Sequence, residues 1–234
     1  MRLLLLSNST IPGLGYLEYA LDDIKDYFGK NVKHIAFVPF AGVTVDWDTY
    51  EQKVQSVFSG LGYHIFSLHH EKDPIAALNK ADAVAVGGGN TFKLVHDLHK
   101  TGLMKAIREK VIQGMPYSGW SAGSNVACPA LFTTNDMPII QPPSFECMNL
   151  VPFQINPHYL DKNPEGHGGE TREDRIKEFL EINRNLTVVG LREGTILRVE
   201  DTQMKLLGNR PARIFRYGKE AVEMNHEQDL SFLL

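Results

Sequence analysis

Cysteine is scarce in this chain, with only Cys128 and Cys147 among 234 residues. Both lie in apolar surroundings, which excludes a secreted disulfide scaffold and points to a reducing compartment, the cytoplasm. Long hydrophobic runs are missing as well. The four leucines at positions 3 to 6 fall short of the roughly 7–15 apolar residues of a signal-peptide core. Nothing approaches the about 18 residues of a membrane span, so a soluble protein is expected and the leucines read as a buried strand. Positive charge is not in excess: 24 basic against 28 acidic side chains leave a formal charge of −4, with no basic block. That balance speaks against nucleic acid or an anionic membrane as partner. Repeats, low-complexity tracts and linkers are absent, and a chain of this length can bury a two-sided core without staples. Residues 1–234 are therefore read as a single domain, as a monomer or homodimer.

What the chain does have is an alternation of short apolar runs with segments of helical period. That pattern predicts a doubly wound α/β fold, a mostly parallel sheet with helices on both faces. Strands are expected at Arg2–Ser7, Val32–Pro39, Tyr63–Leu68, Asp82–Gly87 and Pro116–Gly119. Leu17, Ala20, Leu21, Ile24 and Phe28 make one helical face that Gly29 stops. Further helices are expected around Tyr50–Phe58, over Pro74–Lys80, and from Thr91 toward Gln113 with a break at Thr101-Gly102. Seven prolines then fall within 36 positions, from Pro129 to Pro164, which predicts exposed loops of the kind that carry sites. Thr171 followed by Asp174 marks another helix start, and Thr187–Leu191 a strand. Four short runs between Thr195 and Met224, separated by turn residues, suggest a C-terminal antiparallel meander.

Among residues that could do chemistry, Gly119-Trp120-Ser121-Ala122-Gly123 fits the G-x-S-x-G nucleophile elbow, preceded by an apolar strand and followed by small residues able to start a helix. Ser121 then stands at the carboxyl edge of the sheet, where open α/β folds bind ligands. A serine nucleophile needs a base. Of nine histidines, His158 in Asn156-Pro157-His158-Tyr159 is the first choice, on a rigid turn beyond a strand, and His167 between two glycines the second. The others flank strands or ride helices, and none forms H-E-x-x-H, so no metal site is expected. An acid must orient the imidazole. Asp136 and Glu193 are both loop acids near apolar strands, and the residues alone do not choose between them. The order of serine, histidine and Glu193 departs from that of ordinary α/β-hydrolases.

Gly87-Gly88-Gly89-Asn90-Thr91 lacks the third glycine of G-x-G-x-x-G and the lysine of a phosphate loop, which disfavours nucleotide binding. Backbone N–H groups of Gly88, Gly89 and Asn90, with that of Ala122, are instead candidates for an oxyanion hole. Arg172, opening the helix after Thr171, is the candidate for holding a substrate carboxylate.

Taken together, Gly87–Phe92, Gly119–Asn125, Asn156–Tyr159 and Gly169–Arg172 resemble the peptidase E family of α-aspartyl dipeptidases, over nearly the whole chain. The resemblance implies a fold like class I glutamine amidotransferases, with a serine where those enzymes have cysteine. It also implies Ser121 and His158 as nucleophile and base, and offers both Glu193 and Asp136 as the acid, Glu193 first. The implied reaction is hydrolysis of Asp-X dipeptides without a cofactor, the partner being a small peptide. A cyanophycinase-like peptidase acting on an aspartate-rich polymer, a glutamine-using amidotransferase-like enzyme and a catalytically silent binding module are the alternatives.

Overall fold

The computed structural model describes residues 1–166, 168–226 and 228–234. Seven strands form the main sheet, in the order β3-β2-β4-β5-β1-β8-β9. Five of them, β1 (Arg2–Leu6), β2 (His34–Val38), β3 (His64–Ser67), β4 (Ala83–Val86) and β5 (Tyr117–Trp120), run parallel. At that edge β8 (Ile196–Glu200) pairs antiparallel with β1, and β9 (Gln203–Leu207) pairs antiparallel with β8. Burial on both faces explains why the parallel strands are largely apolar, whereas β9 at the edge alternates exposed polar with buried apolar residues. In β1, Leu3 and Leu5 enter one core while Leu4 and Leu6 enter the other, and β2 divides Ala36 and Val38 from Ile35 and Phe37 in the same way.

One face is covered by α1 (Leu21–Phe28) and α2 (Trp47–Gly60), through Ile24, Tyr27, Val54 and Phe58. On the other face lie α3 (Pro74–Leu78), α4 (Thr91–Lys100), α5 (Leu103–Ile112) and the single turn α6 (Ala122–Asn125). Thr101 and Gly102 separate α4 from α5, where Gly102 takes φ 74°. The proline-rich stretch has little regular structure, as its composition predicts. Among the described residues no helix is long and apolar enough to cross a membrane.

A second sheet, ordered β11-β10-β7-β6, stands beside the first. Its strands β6 (Gln154–Asn156) and β7 (Thr187–Gly190) are parallel and joined through α7 (Arg172–Ile182), while β10 (Ala212–Arg216) and β11 (Val222–Met224) add an antiparallel hairpin. The C-terminal antiparallel strands thus divide into two hairpins, one on each sheet, rather than forming one continuous meander. The change of sheet follows Gly208, whose φ of 98° and close packing on the Gly194 carbonyl leave no room for a side chain.

Candidate active site

The carboxyl ends of β1, β4 and β5 open on one edge, and the site is built there. Between β5 and α6 the backbone turns so sharply that Ser121 takes φ 53° and ψ −113°, a conformation seldom adopted by residues with side chains. Two glycines permit the turn. A Cβ on Gly119 would meet the Gly123 carbonyl oxygen at 2.4 Å, and one on Gly123 would meet that of Val86 at 2.1 Å. The Ser121 N–H donates to Leu6 O at 3.0 Å, and its carbonyl accepts from Ser124 N and Asn125 N, so the backbone holds the elbow on both sides. Gly88 packs directly on it, leaving only 3.0 Å between an added Cβ and Ser121 Cβ.

His158 is likewise strained, with φ 53°. Its N–H donates to Ser7 Oγ at 2.9 Å, and Ser7 Oγ donates to Leu191 O at 2.7 Å. The bonds Tyr159 N–H to Leu191 O and Leu191 N–H to Asn156 O continue the β6–β7 pairing past His158. The histidine loop is further tied by Asn135 Nδ2 donating to Pro157 O at 2.6 Å. Across this frame, His158 Nε2 lies 3.0 Å from Ser121 Oγ and Nδ1 lies 2.7 Å from Glu193 Oε1. A carboxylate accepts, so Nδ1 carries the proton and Nε2 is left to accept from the serine hydroxyl.

Glu193 follows Arg192, whose guanidinium bonds Asp161 at 2.8 and 2.5 Å, Glu223 at 2.8 and 2.9 Å, and Pro211 O at 2.7 Å. Asp161 lies three residues after His158, so this ion pair fastens the segment carrying the imidazole to the segment carrying its acid. The same hydrogen bonds hold the Asp161 carboxyl below its usual range and raise the Arg192 pKa.

The second candidate acid is placed elsewhere. Asp136 Oδ2 accepts from Thr91 N at 2.7 Å, Thr91 Oγ1 at 2.6 Å and Thr134 Oγ1 at 3.0 Å. It therefore caps the first turn of α4 and makes no hydrogen bond to His158. Asn90 is a further correction: its N–H donates to Ala41 O at 2.8 Å and is not available to an oxyanion, while its side chain accepts from Lys93 N at the start of α4. Gly88 and Gly89 line the cleft, and Ala122 directly follows Ser121. His167 lies outside the described residues. Cys128 is fully buried, and burial pushes its thiol up to about 12, so it is no competing nucleophile.

The cleft encloses about 660 Å³, with Ser121 and His158 on its wall. Tyr16, Tyr50 and Lys53 also line it. Lys53 Nζ sits 4.1 Å from the Tyr16 ring centre, and Tyr50 OH accepts from Trp120 Nε1 at 3.0 Å. Arg172 does not line this cleft. It is half-buried at the start of α7, behind the Thr171–Asp174 capping box, and no carboxylate lies within 4 Å of it among the described residues. Burial and Arg175 lower its pKa, and the negative charge of Asp136 opposes them. Ser7, Asp161, Arg192 and Lys53 escaped the sequence reading. Only Ser7 carried a usable signal, as a polar residue at the carboxyl end of the central leucine strand.

A doubly wound sheet that lifts a serine onto a strand–helix elbow, against an imidazole oriented by a carboxylate, defines a serine hydrolase. The chain belongs to peptidase family S51, whose family model matches residues 3–207, and it is a serine-type peptidase. It is 52% identical over 233 residues to Peptidase E of Nostoc sp., covering 100% of this chain and 96% of the relative. Peptidase E of Streptomyces coelicolor is also 52% identical, over 100% of this chain and 95% of that one. Peptidase E of Salmonella typhimurium is 46% identical over 96% and 97%. Among solved structures, a putative Peptidase E protein from Listeria monocytogenes superposes with TM-score 0.69 at 22% identity, over 88% of this chain and 98% of that one. A peptidase from an acI-B1 actinobacterium gives 0.69 at 18% identity, over 99% and 96%. At those identities the structural likeness speaks for the fold.

Proposed function

We propose that residues 1–234 act as a single-domain cytoplasmic dipeptidase, monomeric or homodimeric, that hydrolyses Asp-X dipeptides through an acyl-enzyme on Ser121. The observation that carries this reading is the continuous chain of hydrogen bonds from Ser121 Oγ through the His158 ring to Glu193, at 3.0 and 2.7 Å. In this mechanism His158 Nε2 takes the hydroxyl proton as Oγ attacks the scissile carbonyl. Backbone N–H groups of Gly88, Gly89 and Ala122 hold the oxyanion. His158 then gives its proton to the departing amine, and a water molecule, activated the same way, releases aspartate from Ser121. Every step uses groups of the chain, substrate or water, so no cofactor is needed. Glu193 is the orienting acid, and Asp136 supports α4 beside the cleft.

An Asp-X dipeptide carries two carboxylates. Arg172 lies outside the cleft lining but interacts electrostatically with Asp136 on the cleft wall. With no carboxylate within 4 Å among the described residues it suits the aspartyl side chain, while Lys53 on the cleft wall suits the carboxyl terminus. Two free, buried thiols support the reducing compartment. The test is to assay Asp-Leu, Asn-Leu, glutamine and an aspartate–arginine polymer side by side. Asp-Leu is expected to be turned over fastest. In R172A the loss on Asp-Leu is expected to exceed that on Asn-Leu by about a hundredfold, the scale of a lost charge-assisted pair. No hydrolysis of Asp-Leu, or faster cleavage of the polymer, overturns the substrate assignment, and equal losses remove Arg172 from its role.

A further inference from the structure

Away from the cleft, four ligand-type side chains converge where the first turn of α2 meets the turn that follows β3. Asp48 and Glu51 stand three residues apart on α2, so one helix face presents both carboxylates. A single 3-10 turn, Leu68–His70, brings His69 and His70 opposite them. One ring nitrogen of each histidine and one oxygen of each acid all lie within 4.8 Å of one another. His69 Nε2 is 2.7 Å and His70 Nε2 3.3 Å from Asp48 Oδ1, and His70 Nε2 is 2.9 Å from Glu51 Oε2.

Behind them Ser67 supplies an outer layer for two of the four. Its Oγ lies 2.6 Å from His69 Nδ1, and its N–H donates to Glu51 Oε1 at 2.9 Å. Each bond occupies the far atom of its group and turns His69 Nε2 and Glu51 Oε2 toward the common centre, which is how metal-ligating imidazoles and carboxylates are held. The Trp47 ring packs edge-on against His69 and fixes it further, with centroids 5.7 Å apart.

We infer that this cluster is a binding site for a divalent transition cation, with zinc the best match to two imidazole nitrogens and two carboxylate oxygens. Zinc bonds of about 2.0–2.2 Å ask only that the present hydrogen-bonded contacts open slightly around the ion. The Asp48 and His70 side chains, 65% and 55% exposed, are free to make that adjustment. None of the four residues lines the catalytic cleft, but residues 41–45, which lead into α2, do. A cation here pins the start of α2 to the end of β3 and steadies that wall. It takes no part in the hydrolysis.

The chelator-washed full chain is titrated calorimetrically with zinc chloride, in parallel with its H158A variant so that the catalytic histidine cannot supply the signal. One equivalent is expected in both, with a higher Tm in the presence of zinc. In D48N and H70Q, exposed positions whose folding is checked by circular dichroism, that equivalent is expected to weaken at least tenfold, roughly the effect of disturbing a metal ligand's support. S67A, which removes only the outer bond to His69, is expected to weaken it by less. No saturable zinc binding, or one equivalent bound with unchanged affinity in D48N and H70Q, overturns the site.

Discussion

The two halves of the Ser121–His158–Glu193 arrangement are held by different means. On the Ser121 side the backbone itself is jammed: Gly119 and Gly123 pack against neighbouring carbonyls, and β5 sits in the middle of a sheet buried on both faces. On the His158 side the backbone is a loop beyond a smaller sheet, and polar bonds from Ser7, Asn135 and the Arg192–Asp161 pair do the holding. Close packing tolerates no added atom, whereas a polar tie can be cut with the fold left standing. Changes on the two sides should therefore separate into losses of stability and losses of rate.

The largest effect is expected from Glu193→Gln. It keeps the shape of the side chain but not the charge that orients the imidazole, and kcat should fall on the order of 10³–10⁴-fold while the thermal midpoint stays nearly constant. Asp136→Asn sharpens the point. It weakens the cap of α4, so it should cost about 1 kcal/mol of stability and far less in rate. If the two variants exchanged effects, Asp136 would be the orienting acid.

Next comes Gly123→Ala. The added methyl must displace the Val86 carbonyl, so a loss of about 3 kcal/mol or more is expected by denaturant unfolding. An alanine tolerated there without loss would show that the elbow is not packed as described.

The smallest effect is expected from Asp161→Asn, read against pH. Arg192 holds the Asp161 carboxyl below the ordinary value, about 3.9 in an unfolded chain. A lowered pKa in the folded state means that the contribution is fully present above the unfolded value and is lost as pH falls through the folded one. Asp161 is 47% exposed, so screening keeps the difference from the parent below about 1 kcal/mol at neutral pH. That difference should shrink below pH 4. One that grew with acidity would contradict the clamp.

The same contrast explains what could be read from the chain. Jammed backbone leaves glycines at fixed spacing and buried strands leave apolar runs, so the five parallel strands, their helices and Ser121 were all legible. His158 was legible for a related reason, since Pro157 and the strand before it rigidify the turn. Which acid stands beside His158 was not, because the placement of Glu193 rather than Asp136 there depends on β7 lying beside β6, a pairing between residues more than thirty positions apart. Ser7 and Arg192 act across 151 and 31 positions and leave no local pattern. Asn90 misled because a glycine-rich turn does not reveal which of its amides already has an acceptor, here Ala41 O. The histidines at 69 and 70 looked unremarkable for the same reason, their carboxylate partners lying on another helix.

The most direct test is to treat the protein with a fluorophosphonate and map the adduct by peptide mass spectrometry. A hydroxyl activated by a neighbouring imidazole predicts a single adduct on Ser121, abolished in S121A and greatly slowed in H158A. Asp-Leu hydrolysis that persists with Ser121 unlabelled, or labelling that proceeds as fast without His158, would contradict the account.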